Sequence, residues 1–240
     1  MNLIIDIGNT LVKLAVMEDR TEKYFSALSE VDFDLLEKII SENKIERGII
    51  CSVRQRNDEL INFLKERISL LEMNSKLKLQ LNNLYENPEK LGNDRLVLAC
   101  GGASIFPKKN VLVISCGTCI TFDFVNEKQE YIGGSISAGV DMRLKAMHEF
   151  TAKLPRVEIS NPKNFIGRNT EQSILSGAVN GSAAEIDGMI SLYKKYFPHL
   201  EIILTGGDAE LLAAKLESKI FATPKLLLHS LNQILQLNAQ

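Results

Sequence analysis

The stretch Leu3-Ile4-Ile5-Asp6-Ile7-Gly8-Asn9-Thr10 has a second copy, Leu112-Val113-Ile114-Ser115-Cys116-Gly117-Thr118, in which Gly117 lies 109 positions after Gly8 and the acid is gone. Each copy is followed by another apolar run, Leu11-Val12-Lys13-Leu14-Ala15-Val16 in the first and Ile120-Thr121-Phe122-Asp123-Phe124-Val125 in the second. An apolar run, a small polar turn and a second apolar run predict a β-hairpin. Its glycine is expected to supply the positive φ that other residues resist. Repetition at domain-sized spacing predicts a duplicated fold whose halves face each other across a cleft. The missing carboxylate makes the halves chemically unequal.

Composition narrows the class of partner. A formal net charge of -2 over 240 residues argues against nucleic acid or an anionic membrane as a partner. No apolar run is long enough to span a bilayer and no signal peptide is evident, so a cytoplasmic protein is expected. Cys51, Cys100, Cys116 and Cys119 then read as reduced thiols. Cys116 and Cys119 have the C-x-x-C spacing, but they flank a turn between two strands rather than opening a helix. The pair is therefore read as a small-residue turn, not as a redox or zinc centre.

The hairpins organise the rest of the chain. In the first half the pattern predicts a third strand at 24–28, a helix over 32–43 capped by Ser29, and a buried parallel strand at 48–53. A helix over 58–70, a short strand at 76–80, a polar loop over 81–91 and a helix over 93–105 complete it. Turn chemistry at Pro107-Lys108-Lys109-Asn110 marks the boundary, giving units 1–108 and 109–240. The second half predicts a third strand at 130–136, helices over 141–150 and 170–197, a buried strand at 201–205, and helices over 208–216 and 224–237. Meander, helix, strand, helix, found twice, is a duplicated α/β pattern with mixed sheets.

Three places carry chemistry. At Asp6-Ile7-Gly8-Asn9-Thr10 a carboxylate at a strand end can hold hydrated Mg²⁺ while turn amides meet phosphate oxygens. Lys13 would reach a phosphate or point to solvent. Taken alone this is an ordinary hairpin turn, and the matching turn at Gly117-Thr118 tips the reading to phosphate. Thr205-Gly206-Gly207 reads equally as a strand-to-helix turn and as a place where a phosphate or flat group approaches backbone. In Gly92-Asn93-Asp94-Arg95, Asp94 at a helix start can accept a hydroxyl proton and Arg95 can pair with a substrate carboxylate. His148 and His229 fall in helical patterns and read as packing or surface residues.

These pieces in this order resemble the sugar kinase, heat-shock ATPase and actin superfamily, whose members bind ATP between duplicated lobes. Within it, Tyr85-Glu86-Asn87-Pro88-Glu89-Lys90-Leu91-Gly92-Asn93-Asp94-Arg95 is similar to the acceptor-binding stretch of type III pantothenate kinases. Gly133-Gly134-Ser135-Ile136-Ser137-Ala138-Gly139, Thr151-Ala152-Lys153-Leu154-Pro155 and Ile166-Gly167-Arg168-Asn169-Thr170 also resemble that family. The resemblance implies an α/β, duplicated ribonuclease H-like (actin-like ATPase) fold, two lobes with mixed sheets and a cleft between them. It implies ATP-dependent phosphorylation of pantothenate to 4′-phosphopantothenate, a homodimer, Mg²⁺ and a monovalent cation (K⁺ or NH₄⁺). Asp94 would be the catalytic base, with Tyr85, Gly92, Asn93, Arg95 and a partner-borne Thr170 around pantothenate. Asp6, Ile7, Gly8, Asn9, Thr10, Leu11, Val12, Lys13, Gly117, Thr118, Gly206 and Gly207 would hold ATP. Another small-molecule kinase or phosphatase, or a non-catalytic regulator like the Bvg accessory factors, are the alternatives.

The chain departs from the family at Ser115, where many members carry an aspartate expected to ligand the monovalent cation. A serine there offers a hydroxyl without charge, so a weak or lost cation site is expected.

Overall fold

A computed structural model describes residues 1–238. Contacts divide the chain into two compact units, 1–104 with 226–240 and 105–225. The sequence division at 108 places the C-terminal helix in the second unit, whereas its contacts group it with the first.

In the first unit the chain forms β1 (Asn2–Ile7), β2 (Val12–Glu18), β3 (Thr21–Leu28), α1 (Phe33–Glu42), β4 (Arg47–Ser52), α2 (Asp58–Lys65) and β5 (Ser69–Glu72). A two-residue strand β6 (Asn82–Asn83) and a 3₁₀ turn (Pro88–Lys90) precede α3 (Asn93–Ile105). The sheet runs β3-β2-β1-β4-β5. β1 is antiparallel to β2 and parallel to β4, so it is the central strand and every residue of it is buried. Because side chains alternate along a strand, Leu3, Ile5 and Ile7 share one face and Asn2, Ile4 and Asp6 the other. The first face packs on Leu36, Ile39 and Ile40 of α1 and Leu60, Ile61 and Leu64 of α2.

The second unit repeats this plan. It contains β7 (Val111–Cys116), β8 (Cys119–Val125), β9 (Glu130–Ala138), α4 (Val140–Glu149), α5 (Thr170–Tyr196), β10 (Glu201–Thr205), α6 (Ala209–Ala213) and β11 (Phe221–Ala222). Within the unit the strands run β9-β8-β7-β10-β11, the same order as in the first. Their senses match too, antiparallel on the β8 side of β7 and parallel on the β10 side. Leu112, Ile114 and Cys116 pack on α4 and α5 as Leu3, Ile5 and Ile7 pack on α1 and α2.

The last helix, α7 (Leu226–Asn238), packs against β1 and β4. Two things tie it there. Asn232 accepts from Asn2 at 2.7 Å and donates to the Asp19 carbonyl at 2.6 Å. Gly101 of α3 lies where any side chain would collide with Ser230 and Leu226, so the glycine lets α3 and α7 approach closely.

Several local expectations are corrected. Asp32, not Ser29, caps α1, its carboxylate accepting from the Leu35 amide at 2.9 Å. α2 ends at Lys65 rather than at 70, because 69–72 pairs with β4 as β5. No strand forms at 76–80, where the Lys78 amide and carbonyl bond the side chain of Asn238 instead of a neighbouring strand. α6 is shorter than 208–216. Among the described residues no helix is long and apolar enough to cross a membrane.

Candidate active site

Asp6 stands at the end of β1 on the face away from α1 and α2. It is 3% exposed, and Lys13, directly opposite on β2, brings its Nζ to 3.3 Å from Oδ2. Burial pushes the Asp6 carboxyl above its ordinary range, and the charge of Asp94 adds to this while Lys13 opposes it. Cys51, the β4 neighbour of Asp6, is buried and held well up by burial first and then by Asp6 and Asp94. Two carboxylates thus share one corner of the first unit. Hard carboxylate oxygens gathered in this way are the donors a divalent cation takes.

The turn beyond Asp6 is closed by the Gly8 amide donating to the Leu11 carbonyl at 3.0 Å. Neither Gly8 nor Gly117 has the positive φ expected from the sequence. A side chain at Gly8 would press on the Leu11 carbonyl at 3.3 Å, and one at Gly117 would meet nothing within 4 Å. Arg54, just past β4, donates through Nε to the Gly8 carbonyl at 2.6 Å and through Nη2 to the Asn9 carbonyl at 3.1 Å. Asn9, Thr10 and Leu11 are exposed. Ile7 and Val12 place their side chains in the core, so any contact they made with a ligand would be through backbone.

α3 delivers the second carboxylate. Gly92 precedes the helix and its carbonyl accepts the Leu96 amide. A Cβ at Gly92 would sit 2.6 Å from Asp94 Oδ1, so the glycine leaves room for that carboxylate to lie against the backbone. Arg95 is 6% exposed and its guanidinium carbon lies 5.9 Å from the centre of the Tyr85 ring. Asp6, Lys13, Tyr85, Asp94 and Arg95 therefore all belong to one unit. Asn93 is different. Its amide donates to the Met73 carbonyl at 3.1 Å, and it lines a cavity of about 190 Å³ with Ile7, Ile50, Ser52 and Arg54.

In the second unit Gly206 has φ 102°, and a Cβ there would strike the backbone of Cys116. This is the glycine whose conformation is compulsory. The Asp208 amide also donates to the Cys116 carbonyl at 3.0 Å. The Gly206-Gly207 turn consequently lies against the strand end that carries Gly117-Thr118. Beside it, burial, followed by the charge of Asp141, pushes the half-buried Asp208 carboxyl up. The Cys116 thiol is pushed up to about 12 by burial, which makes it inert and bears against a redox role. Ser115 lies opposite Thr121 on β8 and Thr205 on β10. Thr170 opens α5 as an exposed residue, capped by Asn169.

Arg54 and Asp208 are not singled out by the sequence, although Asp208 directly follows Thr205-Gly206-Gly207. The usable signal is topological, since each follows a strand, β4 or β10, that runs parallel to the central strand and so ends beside its turn.

Residues 2–192 match the family model described as type III pantothenate kinase. The chain belongs to the type III pantothenate kinase family. Curated type III pantothenate kinases include one from Christiangramia forsetii, 41% identical over 99% of each chain, and one from Bacteroides fragilis, 40% identical over 99% of this chain and 98% of the other. Among solved structures, a propionate kinase from Francisella tularensis covers 98% of each chain at TM-score 0.55 and 13% identity. A Campylobacter jejuni protein described as a candidate transcriptional activator of the Baf family covers 99% of this chain and 98% of its own at TM-score 0.60 and 18% identity. At these identities the structures speak for the fold alone, a duplicated ribonuclease H-like, actin-like architecture. For a type III pantothenate kinase the matched stretch spans the Asp6 turn, the Gly92–Arg95 segment and the Gly117 turn; Gly206-Gly207 falls beyond it.

Proposed function

We propose that this chain transfers the γ-phosphoryl group of ATP to the terminal 4′-hydroxyl of pantothenate, giving 4′-phosphopantothenate for coenzyme A synthesis. The single observation that carries this reading is the Asp94 carboxylate, set against Gly92 beside Arg95 and sharing its corner with Asp6. Asp94 accepts the proton of the 4′-hydroxyl as its oxygen bonds to the γ-phosphorus, and the bond to the β-phosphate oxygen breaks to release ADP. Arg95, with Tyr85 against it, anchors the substrate carboxylate. The Gly8 and Gly117 amides close their own turns on the Leu11 and Cys119 carbonyls, so the phosphate oxygens approach the backbone of Asn9-Thr10 and of Thr118, and Gly206-Gly207 lets the nucleotide approach backbone. This division of labour is positioning and charge stabilisation, as phosphoryl transfer demands.

The Asp6 corner fits Mg²⁺ by its donor chemistry, because a buried carboxylate ends β1 at the turn and the charge of Asp94 reaches it. Asp6 would hold the ion, directly or through water, and the ion would neutralise charge on the phosphates. The Ser115 position fits a monovalent cation poorly, since its neighbours Thr121 and Thr205 are also neutral hydroxyls. A homodimer in which the partner copy offers Thr170 to the acceptor, and a cytoplasmic location, complete the reading. The test is ADP formation with pantothenate as the varied substrate, with the product identified by mass. Absence of pantothenate-dependent ADP overturns it.

A further inference from the structure

The geometry points to Arg54 as a positioning residue that sets the peptide planes of the first phosphate turn. Its guanidinium bridges two successive carbonyls, Gly8 through Nε and Asn9 through Nη2. A trans peptide holds its C=O and N–H on opposite sides of one plane. Fixing the Gly8 carbonyl therefore aims the Asn9 amide away from Arg54, and fixing the Asn9 carbonyl does the same for the Thr10 amide. Two neighbouring N–H dipoles then face the side from which an anion approaches, a geometry that binds phosphate oxygens.

Within the turn the Gly8 amide bonds the Leu11 carbonyl, Gly8 is not locked by a positive φ, and Asn9 and Thr10 are exposed. Without Arg54 the Gly8 and Asn9 carbonyls lose the two bonds that fix their direction. A lysine cannot replace it, because an ammonium is a point charge while the guanidinium fork spans two acceptors at once. Arg54 is itself exposed and outside the core, so its removal should spare the fold. The same β4 segment ends at Ser52, whose neighbour Val53 bonds Ile7 through its backbone, which holds Arg54 in register with the turn.

This inference rests on the kinase reading for its kinetic arm only. Arg54→Ala and Arg54→Lys are compared with the unchanged enzyme by melting, steady-state kinetics and calorimetric titration of a non-hydrolysable Mg–ATP analogue. We expect Arg54→Ala to melt as the parent does. Its kcat/KM for ATP should fall on the order of tenfold to a hundredfold, while KM for pantothenate moves less than about threefold. The analogue should bind correspondingly more weakly. Arg54→Lys should recover only part of the loss, and added guanidinium should restore activity to Arg54→Ala but not to the parent. Parental kcat/KM for ATP, a loss shared equally by both substrates, or full recovery in Arg54→Lys would overturn the assignment. If the parent shows no pantothenate-dependent turnover, the kinase reading fails. The analogue affinities then decide Arg54 alone, equal affinity in parent and Arg54→Ala overturning it.

Discussion

Asp6 and Asp94 differ in what their surroundings ask of them. Asp6 is buried and held above its ordinary range, so the folded state binds its proton more tightly than the unfolded chain does. Stability contributed there is present at low pH and is lost as pH rises from the unfolded carboxyl value, about 3.9, through the raised folded one. Asp6→Asn removes that ionisation. The variant should melt above the parent at neutral pH, and the gap should close on acidification; a gap independent of pH would refute the account. Its Mg²⁺-dependent turnover should nonetheless fall by at least about a hundredfold. Asp94→Asn keeps the shape and removes the proton acceptor, so kcat should drop roughly a hundredfold to ten-thousandfold with ATP affinity little changed. Intact pantothenate phosphorylation in Asp94→Asn would remove it from the mechanism. Both acids stood out in the sequence as candidates because each lies two residues from a glycine at the end or start of an element. Arg54 did not, since a lone basic residue in a loop shows its role only once parallel pairing brings β4 beside β1.

At the scale of elements, the two hairpins, the central parallel strands and the long helices followed from hydrophobic period. Besides the α1 cap and the length of α6, the errors fall in 65–80, where Ile68, Leu70 and Leu71 suit a helix face and a short strand equally. The open edge of β4 decides for the strand, and a side chain from α7, distant in sequence, takes the backbone bonds of Lys78. Residues 224–237 read clearly as a helix, and the structure forms one at Leu226–Asn238, but a helix pattern does not say which sheet will receive it. The glycine turns are the sharpest element-level contrast. Gly206→Ala meets both a positive φ and the Cys116 backbone, and should cost at least about 2 kcal/mol of stability. Gly117→Ala meets nothing and should change stability by less than about 1 kcal/mol. Its kcat/KM for ATP should still fall, about tenfold or more, because a methyl group occupies the approach to the turn. Denaturant melts and ATP kinetics on the two variants separate structural from functional glycine; equal destabilisation of both would contradict it.

Across the whole molecule the duplication is close in architecture and unequal in charge. Strand order and sense agree between units, yet Asp6 faces Lys13 where its counterpart Ser115 faces Thr121. Asp123 shares the Thr121 face of β8, but it is fully buried, with one carboxylate oxygen bonded by Tyr131 at 2.7 Å and the other by Thr121 at 2.9 Å. Those bonds commit it to joining β8 and β9, so it does not replace the missing acid at Ser115. A charge pair at ~4 Å and an effective dielectric near ~20 is worth about 4 kcal/mol of gross attraction before desolvation. A cation at Ser115 forgoes that attraction and keeps only neutral oxygens. Turnover measured with K⁺ exchanged for tetramethylammonium at constant ionic strength should therefore change by less than about threefold, and Ser115→Asp should create a K⁺ response where the parent has little. A steep K⁺ requirement in the parent would mean that neutral hydroxyls alone sustain the site, and the asymmetry between the units would then carry no consequence for ion use.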